Sequence, residues 1–186
     1  MDDRQQLFEI LRRRSFRQGG AFKLVSGRTS TIYFNLKPAM LDPGGARLIG
    51  AALAREAASL GAEFVGGLEL GAVPLVTATA AMSAVAGRPI RAVFVRKAAK
   101  DHGTGSLVEG LAEGESLQGR RVAVVEDVTT TGGSALKAVA ALRAAEAEIS
   151  DVLTVVDREE GAEEAFAAAG LALHALYRKR DFAVES

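Results

Sequence analysis

Residues 121–134 constrain the fold of this chain more than any other part of it. After Arg121 comes the apolar run Val122-Ala123-Val124-Val125, then two acids, Glu126 and Asp127, then Val128-Thr129-Thr130-Thr131-Gly132-Gly133-Ser134. A short run that is apolar at every position reads as a strand buried on both faces, and such a strand needs helices above and below its sheet. The hydroxyl- and glycine-rich segment predicts a tight loop that opens a helix at Ser134. Backbone N–H groups at such a helix start, together with the positive end of its dipole, make a place where an anion can sit. Gly132 and Gly133 let the backbone curl, while Thr130, Thr131 and Ser134 add hydroxyl donors. Glu126 and Asp127 have the wrong sign for an anion. Carboxylates beside an anion cradle suit a ligand with hydroxyls next to its phosphate, as a ribose 5-phosphate has. The competing reading is a strand followed by a capped helix and nothing more. Other phosphate loops are excluded, since no G-x-x-x-x-G-K-[ST] occurs and no G-x-G-x-x-G follows a strand.

The remaining sequence alternates in the same way. Leu7, Ile10, Leu11 and Arg14 recur at helical spacing in a first helix that should stop before Gly19-Gly20. Residues 22–25 and 32–36 read as two short strands around Ser26-Gly27-Arg28. Helices are expected over 47–60, 74–85, 134–147 and 163–169, and strands over 64–68, 90–95, 122–125, 152–156 and 171–177. A polar, glycine-bearing stretch, 97–119, breaks the rhythm. The expected fold class is α/β, with a central parallel sheet covered by helices on both faces. At 186 residues a single domain, 1–186, is expected. Lys+Arg and Asp+Glu balance at 23 each, so no whole-chain basic field argues for nucleic acid. There is no cysteine, hence no disulfide, thiolate metal site or cysteine nucleophile. No apolar window approaches the roughly 20 residues that span a bilayer, and the charged N-terminus does not read as a signal peptide. A cytoplasmic protein with no membrane partner is expected.

Residues 124–134 resemble the phosphoribosyl-pyrophosphate (PRPP) signature of the type I phosphoribosyltransferases, in which the acid pair binds the ribose hydroxyls and the loop binds the 5′-phosphate. Three further segments are similar to the orotate-specific branch of that family. Residues 20–37 resemble its N-terminal hairpin, F-x-L-x-S-G-x-x-S-x-x-Y. Arg96-Lys97-Ala98-Ala99-Lys100-Asp101-His102-Gly103 resembles its R-K-x-x-K-x-H-G lid. Asp157-Arg158-Glu159-Glu160 is similar to its D-R-x-E, whose arginine meets the orotate carboxylate, a natural guanidinium partner. Two positions depart from the pattern of the longer bacterial enzymes. Val25 stands where lysine is frequent, and Leu70-Gly71 where Tyr-Lys is frequent, although residues 67–74 still look like the short pyrophosphate-side loop of compact members.

The resemblance implies a type I phosphoribosyltransferase fold, with a helix and small hood hairpin over 1–40, a core over 41–186 and a lid loop over 97–119. It implies transfer of phosphoribose from PRPP to orotate, giving orotidine 5′-monophosphate and pyrophosphate. PRPP would be bound by Arg96, Lys97, Lys100, His102, Glu126, Asp127, Val128, Thr129, Thr130, Thr131, Gly132, Gly133 and Ser134. Orotate would meet Thr130, Arg158, Tyr33 and Phe34. Lys100, His102, Asp127 and Glu126 would be catalytic, with Mg²⁺ carried by substrate oxygens and no direct protein ligand. A homodimer with lids crossing between active sites is implied as well. An enzyme for another base, or a PRPP-sensing regulator of the same fold, are the alternatives. His174, the arginines 12–14 and 17, and Glu109, Glu113 and Glu115 read as structural or surface charge.

Overall fold

The computed structural model describes residues 1–23, 29–98 and 106–182. Helix α1 (Asp3–Arg14) is capped by Asp2, whose carboxylate accepts from the Gln5 N–H, and it buries Leu7 and Leu11. Strands β1 (Phe16–Lys23) and β2 (Thr29–Phe34) pair antiparallel as the hood hairpin. The sequence reading starts this strand only at residue 22 and uses Gly19-Gly20 as a helix stop. Instead, both glycines lie inside β1 with φ of +93°, where the register shifts. They serve a bulge, which an L side chain would disfavour.

The short α2 (Lys37–Met40) leads to α3 (Pro43–Ser59), capped by Asp42 with proline in its first turn. Then follow β3 (Phe64–Gly66), α4 (Ala72–Val85), β4 (Arg91–Ala92), β5 (Phe94–Val95) and β6 (Val108–Glu109). The chain continues through β7 (Val122–Thr129), α5 (Gly133–Ala144), β8 (Asp151–Asp157), α6 (Ala162–Ala168), β9 (Ala172–Arg178) and α7 (Lys179–Phe182). The central five-stranded sheet has the order β4-β3-β7-β8-β9, and every pairing in it is parallel. Its two faces bury separate cores. Ala123 and Val125 face a cluster that includes Leu48, Leu53 and Leu75 of α3 and α4. Val122 and Val124 face Ala138, Leu142 and Phe166 of α5 and α6. Strand alternation explains why all four positions had to be apolar.

Two expectations change. The single strand over 90–95 divides at Val93: β4 pairs with β3, and β5, still bonded to the loop after β3 through the Val95 N–H on Gly67 O at 2.8 Å, pairs antiparallel with β6. Within the stretch expected as a loop, β6 and Leu117 are tied to the body. The Arg96 N–H donates to Leu107 O at 2.8 Å, and Leu117 is buried. The stretch looked like a loop because two-residue strands leave no periodic signal. In addition, β7 does not stop before the acids; it carries Glu126 and Asp127 and ends at Thr129.

Candidate functional site

The sheet begins at β3, adds β4 on one side and β7 on the other, so the strand order reverses between β3 and β7. Connections leave such a pair in opposite directions, and a crevice opens at the carboxyl ends of the strands. Two loops border it. The loop after β3 packs flush against β7, since a Cβ on Gly67 would lie 2.5 Å from Val125 O. A Cβ on Gly71 would sit 3.4 Å from Asp127 Oδ1, which puts this loop directly beside the acid pair. The loop includes a cis Glu69–Leu70 peptide. Glu69 Oε1 accepts from the Lys97 N–H at 2.8 Å, tying the start of the cationic segment to the same edge.

The loop after β7 is the other border. Asp127 Oδ1 accepts from the Val128 N–H at 2.8 Å, so the acid shapes its own exit. Gly132 takes φ +80°, and a Cβ there would lie 2.7 Å from the Phe166 ring. Only glycine fits both the conformation and the space. The resulting cleft, about 250 Å³, is lined by Glu126, residues 128–135 and Lys137. The sequence reading missed Lys137. Its spacing from Ser134 on the helix that the loop opens was the available signal, because residues three apart share a helix face.

Electrostatics set the acid pair apart. Glu126 is buried at 8% exposure, and its Oε2 has no hydrogen-bond partner among the described residues. Burial, and then the negative charge of Asp127, push the Glu126 carboxyl up to about 8. Thr129 is also buried, and its hydroxyl finds no partner among the described residues. A carboxylate oxygen and a hydroxyl held without partners at the cleft floor are matched by a polyhydroxylated ligand.

Arg158 reaches this region from β8. Thr129 and Asp157 are register partners, and the Arg158 N–H donates to Thr129 O at 2.9 Å. The Arg158 side chain is 5% exposed and pairs with Glu160 at 2.7 Å. The sheet thus fixes the backbone of Arg158 at the strand end beside Thr129, and Glu160 holds its guanidinium. Tyr33 is partly exposed and stacks on Phe22 with ring centroids 5.5 Å apart. Phe34 is a correction. Its ring lies in the core, 5.3 Å from Phe16 and 5.1 Å from Phe182, because successive strand residues face opposite sides. The Phe34 side chain therefore faces the core, while that of Tyr33 faces outward. Arg96 pairs with Glu109 at 3.6 Å, and Lys97 is exposed. Lys100, His102 and Val25 lie outside the described residues.

Several of the residues read as structural or surface charge have partners outside the cleft. His174 Nε2 meets Asp151 Oδ1 at 2.7 Å near the amino ends of β8 and β9, away from the crevice. Glu115 pairs with Arg91, and Arg14 with Asp42. Among the described residues no group of three or more His, Cys, Asp or Glu is placed to hold a metal, and no helix is long and apolar enough to cross a membrane.

Comparison with known proteins agrees with this geometry. A family model for the phosphoribosyl transferase domain matches residues 46–168. The chain is 56% identical to an orotate phosphoribosyltransferase of a Bradyrhizobium species, covering 96% of both chains. It is similar to the orotate phosphoribosyltransferase of Mycobacterium tuberculosis in complex with Fe(III) dicitrate, with 42% identity, TM-score 0.84 and coverage of 98% of this chain and 100% of that one. The PRPP complex of the same enzyme aligns at 39% identity and TM-score 0.79, over 98% of this chain and 100% of that one.

Proposed function

The chain belongs to the orotate phosphoribosyltransferases of the phosphoribosyl transferase family, and from that premise we propose that it transfers phosphoribose from PRPP to N1 of orotate. The bond from ribose C1 to pyrophosphate breaks, a bond from C1 to N1 forms, and the products are orotidine 5′-monophosphate and pyrophosphate. The observation that carries this reading is the meeting, at the ends of β7 and β8, of a phosphate loop, an acid pair and a buried arginine whose backbone N–H bonds Thr129 O. In this reading Thr130, Thr131, Gly132, Gly133 and Ser134 hold the 5′-phosphate. Glu126 and Asp127 accept from the ribose hydroxyls and face the positive charge that grows on C1 as the leaving group departs. Arg158 holds the orotate carboxylate, a group that neither uracil nor the purine bases carry. Arg96, Lys97, Lys100 and His102 offset the charge of the departing pyrophosphate. Mg²⁺ would arrive on substrate oxygens, with no direct protein ligand, and would supply charge neutralisation there.

Protein mixed with PRPP, Mg²⁺ and orotate, uracil or adenine tests the assignment. Orotate absorbance should fall only when PRPP is present, and neither other base should react. Turnover of uracil or adenine with orotate left intact would overturn it. Soluble substrates support a cytoplasmic location.

A homodimer with shared sites belongs to the same reading. Helix α4 has no charged side chain, and it leaves Thr77, Ala81, Ala84 and Val85 exposed, Val85 at 78%. Such a face suits a second copy of the chain. Lys100→Ala and Asp127→Asn proteins should each be inactive alone and regain activity when mixed. Lid exchange would put both defects into half of the heterodimer sites and leave the other half intact. No recovery, with subunit exchange verified, would defeat the shared site.

A further inference from the structure

The turn that presents Arg158 is gripped from behind by the end of the neighbouring strand. We propose that Arg178 and Asp157 are positioning residues for base recognition, holding the 157–161 turn so that Arg158 meets its ligand in one orientation. The proposal rests on the reading of Arg158 as the partner of the orotate carboxylate.

Asp157 and Arg158 are consecutive at a strand end, so their side chains leave on opposite faces. On one face, Arg158 pairs with Glu160. On the other, the Asp157 side chain is 2% exposed and divides its oxygens between two tasks. Its Oδ1 accepts from the Glu159 N–H at 3.0 Å, and its Oδ2 accepts from Arg178 Nη1 at 3.3 Å. Glu159 has φ +56°, a left-handed conformation that a residue with a Cβ adopts only with support from its surroundings. That support comes from the end of β9 and the start of α7. The Arg180 N–H donates to Glu159 Oε2 at 3.3 Å, and Arg180 Nη1 pairs with Glu159 Oε1 at 3.1 Å. Arg178 is itself steadied, its N–H donating to Asp181 Oδ2 at 2.7 Å and its Nη1 reaching Glu163 Oε2 at 3.3 Å.

Loss of the Arg178 guanidinium leaves Asp157 buried without its cation. Burial then favours the neutral acid, and the acceptor that shapes the turn weakens. A displacement of Arg158 by about 1 Å is enough to cost up to about 100-fold where geometry matters. None of these side-chain contacts involves a residue of the phosphate loop. That loop shares main-chain bonding with the turn, the Arg158 N–H to Thr129 O among it, and its shape is set by Asp127 and Gly132.

Steady-state kinetics of Arg178→Ala with each substrate varied in turn test the proposal. KM for orotate should rise about tenfold, with KM for PRPP within about twofold of the parent value. Arg178→Lys, which keeps a cation beside Asp157, should recover most of the loss. In an Arg158→Ala background, Arg178→Ala should add almost nothing to the orotate defect, because the two act as one unit. Equal rises in both KM values, or an undiminished orotate penalty in that background, would overturn the positioning role. Should Arg178→Ala fail to fold, Asp157→Asn reads the same split, and an unchanged orotate KM there would also overturn it. An Arg158→Ala protein with normal orotate KM is a different result: it would refute the reading of the base site itself.

Discussion

Glu126→Gln is expected to melt at a higher temperature than the parent protein at pH 8, and to lose most of its turnover. Burial and the neighbouring Asp127 charge raise this carboxyl from its ordinary 4.5 to about 8. Between those values the folded protein keeps a proton that the unfolded chain has released, so the unfolded state gains on the folded one as pH rises. The stability linked to this group is full below pH 4.5 and is lost progressively as pH approaches 8. Glutamine keeps the size and carries no charge to bury. The two proteins should therefore differ little at pH 4.5 and increasingly toward pH 8. Each pKa unit corresponds to about 1.4 kcal/mol. Water penetration and coupling to Asp127 reduce the full figure, leaving a gain on the order of 2 kcal/mol, or roughly 4–8 °C at this chain length. Thermal unfolding at the two pH values measures it. A lower melting temperature at pH 8 would mean that the carboxylate is stabilised in the folded state. Turnover should fall about 100-fold, since an amide offers the ribose one acceptor and no negative charge. A carboxylate that costs stability in the empty protein and is needed by the ligand is what a binding site, rather than a structural ion pair, would keep.

Arg158→Ala should raise KM for orotate about ten- to hundredfold and leave KM for PRPP nearly unchanged. A charge-assisted hydrogen bond is worth about 1.5–3 kcal/mol, and the carboxylate it would serve is present on orotate alone. The Arg158 backbone N–H bonds Thr129 O of the phosphate loop, and alanine retains that contact. The separation between substrates is thus built into the hydrogen bonding. Initial rates with each substrate varied at saturating levels of the other measure it, and equal losses for both would refute the assignment. The same protein is the reference for the Arg178 double-mutant cycle.

The order of helices and strands in the α/β body was legible because each buried strand is a run of apolar residues and each helix has its own punctuation. Pro43 with Asp42 marks the start of α3, and Gly61, with φ +69°, follows its end. The hairpin start and the 97–119 stretch were not legible. Gly19-Gly20 carries the same local signal whether it stops a helix or bulges a strand, and β5 and β6 are too short to show a period. Phe34 was misplaced for a related reason. The family resemblance marks both aromatics for the base, but only strand phase decides that the Phe34 ring points inward while that of Tyr33 points out.

Of the site itself, the sequence alone determined the chemistry. An acid pair, a hydroxyl- and glycine-rich loop and a lone arginine at a strand end are local patterns, each readable within a dozen residues. Which of them meet was decided only in the tertiary structure. Sheet order places the ends of β3 and β7 on either side of the reversal point, brings Gly71 against Asp127, and sets Arg158 beside Thr129. It also brings Arg178, twenty-one residues further along the chain than Asp157, to within 3.3 Å of that side chain. The physical reason is that parallel neighbours are joined by crossover helices, so contacts between strand ends form at large sequence separations where no local pattern records them.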